Sequence, residues 1–234
     1  SLNNYDFWTV QAYTNRSHFW IGPFLYKGTA YPTLPGISSG TKTHIAPLWP
    51  QVNKLIEDGI FTAKTPWVQS YINTKTEKAK DELYVRYMNT LPRSIMLQAL
   101  TMYRDDLKRI IANAPKSRQK MVFYRGQSSD VLSGTKGHWH TLNSFCSSAY
   151  IFDWAFGYSR SRNRIQRITV LPGTPVLFVA GVNQWDHSGE YEVMINLGTK
   201  YLIRARNVKR QVVDARAGSV YSDVFVTDVT VAKT

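Results

Sequence analysis

The stretch "KMVFYRG", residues 120–126, lies where the sequence changes character, and it decides the fold. Upstream of it, from Trp49 to Pro115, apolar residues recur at the three- and four-residue spacing of amphipathic helices. Downstream of Lys116 come short runs rich in β-branched and aromatic residues, separated by clusters of glycine, asparagine and serine. Because helices come first and strands follow, the sequence predicts an α+β fold with N-terminal helices and a mostly antiparallel, two-sheet β core.

Three apolar stripes support the helical predictions. The first comprises Val52, Leu55, Ile56 and Ile60, and the second comprises Leu100, Tyr103, Leu107, Ile110 and Ile111. The third falls inside the β-rich half, where "AYIFDWAFGYSR" places Ile151, Trp154, Ala155 and Tyr158 at helical spacing. Each stripe predicts the buried face of one helix.

The predicted domain organisation has two parts. Residues 1–48 are poor in charge and rich in aromatic residues, which indicates an extension packed on the main body. Residues 49–234 form the main domain, with a helical part at 49–115 and a β core at 116–234. No internal repeat divides the chain further.

Composition limits the classes of protein that fit. Lys and Arg number 29 against 16 Asp and Glu, giving a net charge of +13, which favours a phosphate-bearing ligand or association with nucleic acid. Cys146 is the only cysteine, so no internal disulfide can form and a reducing compartment is favoured. No apolar run approaches the roughly 20 residues of a membrane span, and "SLNNYDFWTV" lacks the pattern of a signal peptide. His138 and His140 could form half of a metal site, but with no fitting cysteine or carboxylate cluster nearby we expect no metal.

The first candidate site lies in "SGEYEVMINLG", residues 188–198. On a strand, residues i and i+2 point to the same face about 6 to 7 Å apart, so Glu190 and Glu192 would stand side by side. Two neighbouring carboxylates can engage one polar or cationic ligand. The alternative is an exposed strand end with two solvated acids.

Two further candidates precede this pair along the chain. Arg125 ends an apolar strand just before Gly126, where an arginine can bind a phosphate and a glycine lets a ligand approach the backbone. The alternative is a turn glycine beside a surface arginine. In "SFCSSA", residues 144–149, a strand is expected to end at Phe145, and Ser147 and Ser148 could either hold a ligand or cap the next helix.

In this order the three motifs resemble the arginine, serine and Glu-x-Glu signature of the ADP-ribosyltransferase family. The chain is similar to the arginine-modifying mono-ADP-ribosyltransferases of bacterial toxins, bacteriophages and vertebrate ectoenzymes over roughly Met121 to Leu197. The resemblance implies an enzyme that releases nicotinamide from NAD and transfers ADP-ribose to an arginine of a target protein. It also implies a delivered effector acting in the cytoplasm of a host or target cell.

The resemblance assigns roles at the matching positions. Arg125 would contact an NAD phosphate and the Gly126 backbone the nicotinamide amide. Ser147, with Ser148 beside it, would hydrogen-bond within the nicotinamide-ribose site and help place Glu192. Glu192 would bind the ribose 2′-hydroxyl and stabilise the oxocarbenium-like transition state.

Three further residues are implied to act around this centre, together with Glu190. Glu190 would engage the incoming guanidinium, and Trp185 in the preceding loop would press on the target protein. Arg160 and Arg164 would meet NAD phosphates from a covering loop. The sequence departs from the family at Ser147-Ser148-Ala149, because the usual motif is Ser-Thr-Ser.

Two alternatives stay open at the level of the sequence. The net charge of +13 and the many tyrosines and tryptophans also fit a non-catalytic nucleic-acid-binding module. An NAD glycohydrolase without a protein acceptor would share the NAD site but would not need Glu190.

Overall fold

The computed structural model describes residues 3–13, 49–59, 93–127, 132–159, 162–179, 191–214 and 218–233. Its helices are α1 (Asn4–Ala12), α2 (Trp49–Glu57), α3 (Arg93–Ala112) and α4 (Phe152–Gly157). Its strands are β1 (Met121–Gln127), β2 (Trp139–Thr141), β3 (Cys146–Ala149), β4 (Arg164–Val170), β5 (Val176–Phe178), β6 (Glu192–Ile195), β7 (Lys200–Asp214) and β8 (Ser219–Ala232). Glu190, Trp185, Arg160 and most of the predicted extension lie outside the described residues.

The strands form one sheet in the order β2-β7-β8-β4-β1-β3-β6-β5. Only β4 and β8 pair in parallel, and all the other neighbours are antiparallel. The predicted α+β class with a mostly antiparallel core is therefore confirmed. The predicted division into two sheets is wrong, because hydrogen-bonded neighbours connect all eight strands.

The physical reason for this error is a weak seam between β1 and β3. These two strands face each other at one residue pair, Tyr124 and Ala149. By contrast, β1 and β4 face each other along all seven residues from Met121 to Gln127. The sheet thus consists of a five-strand and a three-strand ladder joined at one position.

Strands β7 and β8 are the longest in the sheet and form a bent hairpin. The sequence here contains two β-rich runs, "KYLIRARNV" and "KRQVVDA", and β7 continues through both with register shifts against β8. Asn207 has a left-handed φ of 50° at this irregularity, and its backbone N–H donates to Thr227 Oγ1. Asparagine tolerates that conformation better than most residues, so the strand can continue past it.

Two buried apolar clusters hold the sheet. The larger includes Phe123, Ile168, Val193, Ile195, Ile203 and Val229. The smaller includes Ala149, Phe152, Ala155, Ile165, Val224 and Val226. Strand β4 contributes Ile168 to the larger cluster and Ile165 to the smaller one, and β8 contributes Val229 and Val226 in the same way. Residues an odd number of positions apart on a strand point to opposite faces, so the two clusters lie on opposite faces of the sheet.

Helix α4 packs against the smaller cluster by a face that the sequence did not predict. Phe152 and Ala155 are buried, whereas Trp154 and Tyr158 of the predicted stripe are 44% and 58% exposed. The helix is only six residues long, so its aromatic residues cannot all share one face. The Phe152 ring packs edge-on against Tyr124 of β1.

The chain divides into two compact units, Ser1–Arg109 and Ile110–Thr234. In the first unit, a polar network joins α1 and α3, since Tyr5 donates to Asp106 and Arg109 binds both carboxylate oxygens of Asp6. Burial, together with the Asp106 carboxylate, raises the pKa of Tyr5 above its usual range. Helix α1 itself was not predicted, because its residues were assigned to an irregular extension.

The predicted stripe of α3 is confirmed, since Leu100, Tyr103, Leu107, Ile110 and Ile111 are all buried. Val52 and Leu55 of α2 are buried as well. None of the helices in the described part of the chain is long and apolar enough to cross a membrane.

Candidate active site

Ser147 and Glu192 meet where β3 pairs with β6. Ser147 lies opposite Met194 and Ala149 lies opposite Glu192, which places Ser147 diagonally across from the carboxylate. The Ser147 hydroxyl donates a hydrogen bond of 2.5 Å to Glu192 Oε1. Both side chains are half-buried. A hydrogen bond to a carboxylate is stronger than one between neutral groups, so this contact orients Glu192.

Ser148 contributes to the site through the backbone. Its hydroxyl is buried and donates to the Val193 carbonyl oxygen at 3.1 Å, which fastens β3 to β6 one residue away from Glu192. Neither serine caps α4, because the N-cap residue is Ile151 and it makes no side-chain capping bond. The strand also begins at Cys146, so both serines lie on β3 and not after a strand ending at Phe145.

Tyr191, the residue before Glu192, has a left-handed backbone conformation. Strand β6 begins at Glu192, and Tyr191 has a φ of 46°. Glu190 lies outside the described residues, so its expected position beside Glu192 stays a prediction.

Tyr191 is also a residue near the site that no sequence pattern singled out. A left-handed conformation costs a non-glycine residue roughly 1–2 kcal/mol, and tyrosine is not among the residues that adopt it readily. The Tyr191 carbonyl oxygen accepts from the backbone N–H of Tyr150, which holds the bend in place. No local sequence signal marks such a bend, because it is imposed by the pairing of distant segments.

Arg125 occupies an interior position of β1 and is half-buried. It follows Tyr124, which faces Ala149 across the seam, and Ala149 in turn faces Glu192. Arg125 is therefore one residue removed from a cross-strand row that ends at Glu192. Alternation directs its side chain to the face of β1 opposite to Gly126.

Gly126 lies against helix α4. A Cβ atom built at this position would lie 2.0 Å from the Ala155 carbonyl oxygen and 2.8 Å from the Ser159 backbone nitrogen. Both contacts are with backbone, which cannot move aside as a side-chain tip can. The turn-glycine alternative is thus excluded, because Gly126 sits within a strand and is needed for the close approach of α4.

Two further candidates from the sequence, Arg164 and His140, make contacts within the described structure. Arg164 begins β4, and its guanidinium lies 5.9 Å from the centre of the Phe225 ring. His140 Nε2 is 2.9 Å from the Thr135 backbone nitrogen. Within the part of the chain that the structure describes, no group of three or more metal-ligating side chains occurs.

The structure thus brings two of the predicted site residues, Ser147 and Glu192, into contact. Arg125 lies on β1 one residue from the row of Tyr124, Ala149 and Glu192, and alternation directs its side chain to the opposite face of the sheet.

The chain matches no protein-family model and no curated protein. Its fold is similar to that of two solved catalytic domains from Aeromonas hydrophila. It is similar to the catalytic domain of VahC from Aeromonas hydrophila, with 13% identity and a TM-score of 0.51 over 99% of this chain and 100% of that one. The catalytic domain of VsdC from the same organism is similar at 13% identity and a TM-score of 0.50, over 97% and 98% of the two chains.

A more distant likeness is to an ADP-ribosyltransferase from Clostridium botulinum. It has 13% identity and a TM-score of 0.40 over 93% of this chain and 94% of that one. The fold assignment rests on the two Aeromonas structures. At these identities the likeness defines the fold, and the chemistry has to be argued from the site.

Proposed function

We propose that the chain is a mono-ADP-ribosyltransferase that transfers ADP-ribose from NAD to an arginine side chain of a target protein. The observation that carries the proposal is the 2.5 Å hydrogen bond from Ser147 to Glu192. A carboxylate held in this way is suited to stabilise positive charge on a bound sugar. The fold supports the same function.

In the proposed reaction, Glu192 acts on the nicotinamide ribose. The bond between C1′ and the nicotinamide nitrogen breaks, and nicotinamide leaves with the bonding electrons. Positive charge then develops on the ribose, where the Glu192 carboxylate stabilises it. Ser147 restricts the rotation of that carboxylate, so less reorganisation is needed as the charge develops.

Arg125 and Gly126 are proposed to contribute to NAD binding. A guanidinium can donate two parallel hydrogen bonds to a phosphate. Further contacts from Ser148, Arg160 and Arg164 are part of the same proposal. The net charge of +13 would favour the encounter with an anionic co-substrate.

Glu190 is proposed to select arginine as the acceptor. It would bind the incoming guanidinium through paired hydrogen bonds and take up the proton that is lost when the guanidinium nitrogen bonds to C1′. A free guanidinium has a pKa above about 12, so this proton must leave in concert with the attack. Trp185, in the segment before Glu190, is proposed to contact the target protein.

The proposal extends to the setting in which the enzyme works. Because the fold resembles that of bacterial toxins, we propose that this enzyme is a delivered effector. Its substrate would be a protein in the cytoplasm of a host or target cell. The comparisons give no support to nucleic acid as a partner.

The acceptor assignment is tested with two separate readouts on one set of variants. Radiolabelled NAD is incubated with polyarginine, and transferred label and released nicotinamide are both measured for wild type, Glu190→Gln and Glu192→Gln. We expect Glu190→Gln to lose transfer to polyarginine while it still releases nicotinamide. We expect Glu192→Gln to lose both.

Polylysine serves as the matched acceptor control, since it has the charge of polyarginine without the guanidinium. Nicotinamide release by the wild type without label on either polymer would identify an NAD glycohydrolase. Equal labelling of the two polymers would contradict arginine selection, and unchanged transfer by Glu190→Gln would remove Glu190 from the mechanism.

A further inference from the structure

A cationic groove lies on the central strands of the sheet, on the other side of β1 from Glu192. Its volume is about 340 Å³. Its polar lining consists of Lys120, Arg167, Thr169, Arg204, Asp228 and Thr230. The residues come from the segment before β1 and from β4, β7 and β8, so the groove crosses four neighbouring elements.

The groove has a surplus of positive charge. Lys120, Arg167 and Arg204 are exposed cations, and Asp228 is the one carboxylate among the lining residues. Asp228 accepts from Arg167 Nε at 2.7 Å and from Arg210 Nη2 at 2.8 Å. Because two arginines already share this carboxylate, it does not compensate the charges of Lys120 and Arg204.

The contact with Asp228 also fixes the position of Arg167. The bond uses Nε, and the Arg167 side chain is 46% exposed while that of Asp228 is 13% exposed. The two terminal amino groups of Arg167 take no part in this bond. An arginine held through Nε in this way is pre-organised to donate to a further acceptor.

Hydroxyl groups line the groove together with these cations. Thr169 and Thr230 lie on neighbouring strands directly opposite each other, and Arg204 Nε lies 3.4 Å from Thr230 Oγ1. Guanidinium, ammonium and hydroxyl donors around a small volume match the oxygen atoms of a phosphate group. A volume near 340 Å³ is at the small end of ligand pockets, which favours a compact ligand.

The groove is separate from the candidate active site. Arg167 faces Tyr124, which faces Ala149, which faces Glu192. Three strand spacings therefore lie between Arg167 and Glu192, which corresponds to about 14 Å along the sheet. Arg125, the proposed NAD phosphate contact, lies on the strand next to Arg167, and alternation directs its side chain to the other face of the sheet.

We propose that this groove binds a phosphate monoester or diphosphate group at a site distinct from that of NAD. The same chemistry is presented by a small phosphorylated metabolite and by a phosphorylated side chain of a protein. Charge-assisted hydrogen bonds to Arg204 and Lys120 supply the affinity, and Arg167, held by Asp228, supplies the fixed donor.

The test is isothermal titration of the full chain with two probes, inorganic pyrophosphate and a short peptide that carries one phosphoserine. We expect saturable binding of at least one probe, weakened about tenfold or more by Arg204→Gln or Lys120→Gln. Tighter binding of pyrophosphate would assign the site to a small molecule, and tighter binding of the peptide would assign it to a phosphoprotein.

Lys209→Gln is the matched control, because Lys209 is also on β7 and its replacement removes the same charge from an exposed pair with Asp223. It and Arg125→Gln should bind the probes as wild type does. Circular dichroism confirms that each variant is folded. Failure of the wild type to bind either probe, equal weakening by Lys209→Gln, or loss of binding in Arg125→Gln would each overturn the proposal.

Discussion

The Ser147 hydroxyl helps to orient Glu192, and this makes Ser147 a positioning residue. The Ser147 Oγ atom donates directly to the carboxylate, and the neighbouring Ser148 hydroxyl instead holds the Val193 carbonyl. The two serines therefore have different tasks on the same strand. The alanine at position 149, where the related motif has a third hydroxyl residue, packs in the smaller cluster beside Phe152.

Replacing Ser147 by alanine should lower kcat for nicotinamide release by about 10- to 100-fold. This factor follows from losing a hydrogen bond to a charged group, about 1.5–3 kcal/mol. KM for NAD should change less, because the lost contact acts on the orientation of Glu192. Steady-state kinetics on Ser147→Ala and Ser147→Thr measure this, and threonine should restore most of kcat. Equal kcat in wild type and Ser147→Ala would contradict the assigned role.

Gly126 should not tolerate even the smallest side chain. The alanine Cβ would lie 2.0 Å from the Ala155 carbonyl oxygen, so α4 and β1 would have to separate. We expect Gly126→Ala to reduce the free energy of unfolding by about 2 kcal/mol or more. Urea denaturation followed by circular dichroism measures the loss.

Gly157 is the matched control for this substitution, since it lies in α4 and a Cβ atom added there would have nothing within 4 Å. Gly157→Ala should be neutral or slightly stabilising. Similar losses at both glycines would show that the close approach of α4 is not the cause.

Among the elements, α1 is held to α3 by polar side chains. Arg109 reaches both oxygens of Asp6 at 3.1 and 2.5 Å, and the Asp6 side chain is only 10% exposed. Hydrogen bonding to Asp6 raises the pKa of Arg109 above its usual range. Tyr103 donates to the Thr9 carbonyl oxygen, which adds a further connection between the same helices.

Arg109→Ala should therefore cost about 1–3 kcal/mol of stability, because it leaves the buried Asp6 carboxylate without its main partner. Lys54→Ala breaks an exposed pair with Asp58 on α2 and should cost less than about 0.5 kcal/mol. Equilibrium unfolding of both variants distinguishes the two contributions. If the losses are alike, the α1–α3 network is not a structural determinant.

Local patterns were sufficient to predict most of the elements and insufficient to predict how they pair. The stripe from Leu100 to Ile111 predicted α3 because burial along a helix follows a fixed period. The joining of two runs into β7 and the single pair between Tyr124 and Ala149 depend on residues far apart in the chain. No local period reports such contacts.

The same distinction applies to the candidate site. Ser147 and Glu192 were expected to cooperate, and they are in hydrogen-bond contact across a separation of 45 residues. The position expected for Glu190 beside Glu192 stays a prediction, because Glu190 lies outside the described residues. The close packing of Gly126 on α4 could not be predicted, since the apolar stripe of α4 put Trp154 and Tyr158 on the buried face and both are exposed.

Across the whole molecule, two cationic features are proposed to serve different anions. Arg125 lies on β1, and Arg167 of the groove lies on the neighbouring strand β4 with its side chain on the opposite face of the sheet. Part of the net charge of +13 would therefore serve to bind these anions. The central claim remains that the Ser147–Glu192 pair acts on NAD.

The most direct test of that claim is to measure NAD binding and nicotinamide release in the same preparations of wild type and Glu192→Gln. Glutamine keeps the size of the side chain and its ability to accept from Ser147, and it removes the negative charge. We predict that Glu192→Gln binds NAD within a few-fold of wild type and releases nicotinamide at least about 100-fold more slowly. Nicotinamide release by Glu192→Gln at the wild-type rate, or no release by the wild type, would contradict the account.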